Sequence, residues 1–116
     1  MKLQDYSLEE LIQNAKEHHA CDRALEILSQ FNTMEEAIDG IAPGRIADFC
    51  LWYAREVIKD RWPAAEPIII KDPWSACTYA KDVIKDRWPE AEPYIVKDPM
   101  WASEYQKTFK YFFVRA

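Results

Sequence analysis

The stretch that decides the fold is written almost twice. Residues 53–78 read YAREVIKDRWPAAEPIIIKDPWSACT, and residues 79–104 read YAKDVIKDRWPEAEPYIVKDPMWASE. Tyr53, Tyr79 and Tyr105 therefore recur every 26 residues. About two-thirds of the paired positions are identical, and a fixed period in this range is typical of repeat proteins. One such unit cannot bury its own apolar face, so we expect successive units to stack on one another.

Proline and aspartate predict where the helices of each unit begin and end. Trp62-Pro63 and Trp88-Pro89 are expected to end long helices, because the residue before proline disfavours the α conformation. The Asp-Pro pairs at 72–73 and 98–99 are predicted to start the next ones, with aspartate as N-cap and proline in the first turn. We expect three long helices and two one-turn helices between them, over residues 45–61, 73–87, 99–113, 68–71 and 94–97.

The N-terminal part predicts further helices. Capping boxes begin at Ser7 and Thr33, each followed three residues later by glutamate. They predict a helix from Ser7 to about His18 and one from Thr33 to about Asp39, with Gly40 as C-cap, and residues 20–31 form another helical segment between them. We expect one all-α domain over residues 1–116, with a helical region at 1–42 that continues into a short α-solenoid of helix pairs at 43–116.

Composition restricts the classes of partner. The chain carries 20 acidic and 15 basic residues, a net charge of −5, and this disfavours direct nucleic-acid binding, which needs a basic surface. The N-terminus lacks an apolar signal-like core, and no run approaches membrane-spanning length, so we expect no membrane contact and a cytoplasmic location. Cys21, Cys50 and Cys77 are expected to be reduced and buried.

The second repeat resembles tandem repeats in predicted proteins of bacteriophages and related mobile elements. The resemblance rests on RWPEAEP at 87–93 followed by KDP at 97–99, and it covers about residues 46–105. The segment ACDRALEILSQFNTMEEAID at 20–39 is similar to a helical part of such phage proteins. The resemblance implies a small phage-encoded helical repeat protein, located in the host cytoplasm, and it supplies no catalytic residues.

Several side-chain groups allow a functional and a structural interpretation. The aromatic residues of the repeats are either a stacking platform or, as we favour, the core between repeats; they are Tyr53, Trp62, Tyr79, Trp88 and Tyr105. His18 and His19 with Cys21 and Asp22 resemble half of a zinc site, but no second ligand pair follows. Cys77 has no histidine near it in sequence that would activate a thiol. We therefore predict no catalytic residue, no metal site and no cofactor.

One row of residues is the predicted partner-binding surface. Equivalent positions of stacked repeats line up, so Glu66, Glu90 and Glu92 are expected to form an acidic strip. Trp74 and Trp101 lie outside the predicted buried faces and are expected to flank the strip as anchors. The competing interpretation of the three glutamates is that they favour the N-terminal dipole of the short helices, or act as paired carboxylates in acid–base chemistry.

The function that these features favour is inhibition by protein–protein contact. We expect a phage accessory protein, not an enzyme, that binds a bacterial defence complex of protein or of protein and RNA, as anti-CRISPR proteins do. A structural helical-repeat scaffold without inhibitory role is the alternative. A nucleic-acid-associated or enzymatic module is the second alternative, and the acidic composition and the missing catalytic motifs disfavour it.

Overall fold

The computed structural model describes residues 2–110, and this part of the chain contains helices and no β-strand. The predicted all-α class is confirmed. A short 3₁₀ turn at Leu3–Asp5 precedes eight α-helices. Their bounds are Leu8–Glu17 (α1), Asp22–Leu28 (α2), Met34–Gly40 (α3), Pro43–Tyr53 (α4), Glu66–Ile69 (α5), Pro73–Tyr79 (α6), Glu92–Ile95 (α7) and Pro99–Phe109 (α8).

The predicted caps form at the helix N-termini. The Ser7 and Thr33 hydroxyl oxygens accept from the backbone N–H groups three residues ahead, at 3.3 and 3.2 Å. Asp72 accepts from the N–H of Ser75 at 3.1 Å, and Asp98 accepts from the N–H of Met100 at 3.0 Å. Each cap satisfies a donor that has no partner within its helix, which is why the starts of these helices were readable from sequence.

The long helices end earlier than proline predicted. α4 and α6 each continue through one π-helical turn, Ala54–Ile58 and Ala80–Ile84, and then stop at a lysine in the left-handed conformation. The Lys59 N–H donates to the Ala54 carbonyl at 2.7 Å. This wider turn with its left-handed C-cap ends each helix before the steric effect of proline acts. The predicted ends at 61 and 87 were therefore too late, and the two short helices begin two residues earlier than predicted.

Gly40 has a different role from the predicted one. It is the last residue of α3 and does not adopt a positive φ. A Cβ at Gly40 would collide with the Phe31 ring, so glycine allows the close approach of this aromatic side chain. Phe31 itself lies outside α2, which is shorter than the predicted helix at 20–31.

The repeats pack by one rule. Each long helix contacts the next long helix, α4 with α6 and α6 with α8, and each short helix packs against the long helix before it. The core between them consists of the five repeat aromatics, confirming the core interpretation; Tyr53, Trp62, Tyr79, Trp88 and Tyr105 are all buried. One continuous apolar cluster joins them to Leu3 and the N-terminal helices. A superhelical winding, the solenoid itself, stays a prediction.

Candidate functional site

A hydrogen-bonded cluster at the first repeat junction uses residues of both units. The Tyr79 hydroxyl accepts from the Trp62 backbone N–H at 2.7 Å and donates to the Glu66 carboxylate at 2.7 Å. Arg61 donates to the same carboxylate through Nε and Nη2, both at 3.0 Å. We call this arrangement the junction clamp. It ties the turn after one long helix to the tyrosine of the next long helix.

The junction clamp is repeated 26 residues further on. Tyr105 accepts from the Trp88 N–H at 2.9 Å and donates to Glu92 at 2.6 Å, and Arg87 donates twice to Glu92 at 3.0 Å. Burial raises the pKa of both tyrosines, so the phenols stay protonated and keep donating. The bidentate arginine adds a fixed geometry to each carboxylate. Each clamp therefore consists of an arginine and a glutamate from one unit and a tyrosine from the next unit.

The clamps change the interpretation of the predicted acidic strip. Glu92 is only 8% exposed, and the Glu66 side chain is 16% exposed. Both carboxylates are directed at an arginine and a tyrosine rather than at solvent or at free helix N–H groups. Among the three predicted residues, Glu90 alone is exposed. The expectation that Glu66, Glu90 and Glu92 form one exposed strip is therefore wrong, because two of the three are used inside the fold.

The predicted tryptophan anchors are placed unequally. Trp74 is exposed, whereas Trp101 is half-buried and packs against the core. Trp74 and Met100 occupy equivalent positions of successive units, one residue after the first-turn proline, and Met100 is the more exposed, at 69%. Tyr94 and Val96, just before α8, are also exposed. We call Trp74, Tyr94, Val96 and Met100 the apolar row.

A second surface feature lies in the N-terminal half, between α2 and α4. These two helices make little direct contact, and an open groove with a volume of about 600 Å³ separates them. Apolar side chains form most of its walls, among them Ile27, Phe49 and Trp52, and charged side chains stand at its edge. Cys21, whose thiol alone is exposed among the cysteines of residues 2–110, lines the same groove. The expectation of three buried cysteines is thus wrong for Cys21, which precedes α2 at its N-cap.

Some of the charged side chains that line the groove form ion pairs with residues outside it, and others do not. Arg55 pairs with Asp82 at 3.2 Å and with Glu56 at 3.4 Å. Burial raises the pKa of Asp48, with Asp72 acting in the same direction and Arg55 against it. Arg23 and Arg45 are exposed, and neither forms an ion pair with any residue between 2 and 110.

The groups considered for chemistry are not assembled into a site. Within residues 2–110 no three histidine, cysteine or acidic side chains lie close enough together to hold a metal ion. His18 contacts the Asn14 carbonyl through Nδ1 at 2.9 Å. Burial raises the pKa of the Cys77 thiol to about 11 and that of Cys50 to about 12, which makes both poor nucleophiles at neutral pH.

Sequence reasoning missed the junction clamp and the groove for different reasons. The clamp had a signal, since arginine, glutamate and tyrosine recur at constant spacing in both units. That recurrence indicates contact across the junction once stacking is assumed. The groove had none, because its walls come from residues 19–28, residue 41 and residues 45–55, and its width depends on how far apart α2 and α4 pack.

No helix among the described residues is both long and apolar enough to cross a lipid bilayer. No protein-family model, no curated protein and no solved structure matches this chain.

Proposed function

We propose that this chain is a phage-encoded accessory protein that acts by binding another protein, and that its target is a bacterial defence complex in the host cytoplasm. The observation that carries the binding role is the apolar row. Four of the five large apolar side chains that are exposed on the described residues belong to it. Their sequence positions repeat: Trp74 and Met100 are equivalents, and Tyr94 and Val96 occupy the positions of Ile68 and Ile70 in the first unit.

The chemistry of the row fits an interface. Tryptophan, tyrosine and methionine are enriched in the buried centres of protein interfaces. Large exposed apolar side chains cost solubility, so four of them on a chain with 30% charged residues favour a binding role. Trp101, the residue after Met100 in the first turn of α8, is half-buried and packs against the core.

The junction clamps support the same proposal by fixing the geometry of the row. The first clamp ties the turn before α5 to α6, on which Trp74 lies, and the second ties the turn before α7 to α8, on which Met100 lies. A preorganised surface loses less entropy on binding than a flexible one. Of the predicted acidic residues, Glu90 is free to interact with a basic target and to increase the association rate at low salt.

The test is protection of phage from host defence. Host strains that each carry one defence system are challenged with phage while this chain is expressed, and plating efficiency is measured. We expect one system to be inhibited and its complex to co-elute with the purified chain. The double variant Trp74→Ala, Met100→Ala should abolish both effects at unchanged melting temperature.

Ile58→Ala is the matched control, because Ile58 is exposed to the same extent as Trp74, 37% against 38%, and lies outside the row. If the two alanine proteins inhibit equally well, the apolar row is not the binding surface. If the wild-type chain inhibits none of the systems and instead enters the virion, the scaffold alternative replaces the proposed function.

A further inference from the structure

The groove between α2 and α4 interrupts the packing rule of the rest of the molecule. In the repeats, successive long helices contact each other directly. At the N-terminal end of the array α4 has no such neighbour at α2, and the space between them stays open to solvent on one side. Its volume of about 600 Å³ is within the range of known ligand pockets.

The walls and the edge of the groove differ in character. Ile27 and Trp52 are half-buried and offer apolar surface, whereas Phe49 is only 8% exposed and stacks on Trp52 from below with ring centroids 6.2 Å apart. Arg23 and Arg45 at the edge have no ion-pair partner among residues 2–110. The third edge arginine, Arg55, is held by Asp82 and Glu56.

We propose that this groove binds an acidic amphipathic helix of a partner protein. Its apolar side chains would lie against Ile27 and Trp52, and its carboxylates would pair with Arg23 and Arg45. The groove is open and lies between two helices, which is the geometry in which an amphipathic helix presents side chains at i, i+3, i+4 and i+7.

Charge complementarity selects the acidic partner. The molecule as a whole carries a net charge of −5, so its average field repels acidic peptides. Arg23 and Arg45 have no ion-pair partner among residues 2–110, so the edge of the groove is locally positive and can attract an acidic peptide. Asp48 is the one carboxylate among the residues that line the groove, and Arg55 acts on it electrostatically. The groove site is separate from the apolar row, so this inference does not rest on the proposed function.

The probe is a fluorescein-labelled 16-residue helical peptide with leucine and phenylalanine on one face and glutamate on both flanks of that face. Binding to the full chain is measured by anisotropy. Arg23→Gln combined with Arg45→Gln should weaken binding about tenfold, the sum of two partly exposed ion pairs. Lys71→Gln combined with Lys81→Gln is the control, because both lysines are exposed, lie outside the groove and change the net charge by the same amount.

Cys21 locates the bound peptide independently. It is the exposed cysteine at the groove, while Cys50 and Cys77 are buried, so alkylation of the native chain reports on Cys21. Saturating peptide should slow this alkylation at least fivefold, and Ala24→Phe, which fills the groove from α2, should prevent peptide binding at unchanged helix content.

Each contrary result overturns the proposal. No binding to the wild-type chain at millimolar concentration does so directly. Equal weakening in the arginine and lysine double variants would show non-specific attraction. Equal affinity for a peptide with lysine in place of glutamate would remove the charge argument. Unchanged Cys21 alkylation would place the peptide elsewhere, and binding of a medium-chain carboxylic acid without peptide binding would make the groove a small-molecule site.

Discussion

The junctions between repeats and the junction before the first repeat are built on opposite principles. Between repeats, long helices pack directly and a buried glutamate joins the arginine of one turn to the tyrosine of the next helix. Before the first repeat, Tyr53 stands at the equivalent position, yet its hydroxyl accepts one bond, from Asn14 Nδ2 at 3.1 Å. The comparison teaches that the clamp needs a complete preceding unit. Where that unit is replaced by α1 to α3, the packing loosens and a groove opens.

The largest expected difference in stability is between removing a tryptophan of a repeat junction and removing a tryptophan of the groove. Trp88→Ala removes a side chain that is 2% exposed and packs on Tyr79 at 4.9 Å between ring centroids, so it should lower the free energy of unfolding by about 3 to 5 kcal/mol. Trp52→Ala removes a half-buried ring from the groove and should cost about 1 kcal/mol. Urea unfolding of both variants measures the difference, and equal losses would mean that the groove wall is as tightly packed as the repeat core.

Alkaline pH should lower the free energy of unfolding through the buried thiol of Cys50 in α4. The folded pKa of Cys50 is raised by burial from 9.0 to about 12. This contribution to stability is therefore complete below pH 9 and is lost as the pH rises through 12. We expect about 3 kcal/mol of loss by pH 11 from this thiol, measured under reducing conditions.

Cys50→Ala should make the fall in stability above pH 9 shallower, whatever its effect at neutral pH. Cys21→Ala, which removes the exposed thiol at the groove, is the control and should leave the slope unchanged. An identical slope in all three proteins would exclude the buried thiol as a source of the pH dependence.

The two neighbouring glutamates of the second repeat test the clamp itself. Glu92→Ala leaves Arg87 and the Tyr105 hydroxyl without their shared carboxylate, and should cost about 2 kcal/mol. Glu90→Ala, two residues away on the surface, should change stability by less than about 0.5 kcal/mol. Thermal unfolding of the two variants measures both losses of stability. A larger loss for Glu90→Ala than for Glu92→Ala would refute the assignment of Glu92 as the buried carboxylate.

The smallest effects are expected at the helix caps. Asp72→Ala should cost about 1 kcal/mol, since the carboxylate caps α6 and also accepts from the Ser75 hydroxyl at 2.7 Å. Ser7→Ala at the start of α1 removes one longer bond of 3.3 Å and should cost about 0.5 kcal/mol. If the two losses, measured by chemical denaturation, come in the reverse order, capping is not weaker at the N-terminal end.

Sequence reasoning succeeded where the cause of a structure is local. The starts of α1 and α3 follow from a capping hydroxyl, and those of α6 and α8 from a capping aspartate followed by proline. It failed at the ends of α4 and α6, because a π-helical turn and a left-handed lysine have no strong signature beside the conspicuous proline. The predicted helix at 99–113 was also too long: α8 ends at Phe109 with Lys110 in the left-handed conformation, and residues 111–113 lie outside the described part of the chain.

By itself, the sequence determined the all-α class, the 26-residue repeat and the burial of Tyr53, Tyr79 and Tyr105 with Trp62 and Trp88, since periodicity and caps act between residues close in the chain. Only the tertiary structure decided the direction of each carboxylate. Glu66 and Glu92 turn inward because a tyrosine 13 residues later comes within 2.7 Å, whereas Glu90 stays in solvent. The groove is likewise a tertiary result, because the separation of α2 and α4 depends on how α1 and α3 pack around them. Side-chain direction and helix spacing are set by contacts distant in sequence, and those contacts place the apolar row and the groove on the surface.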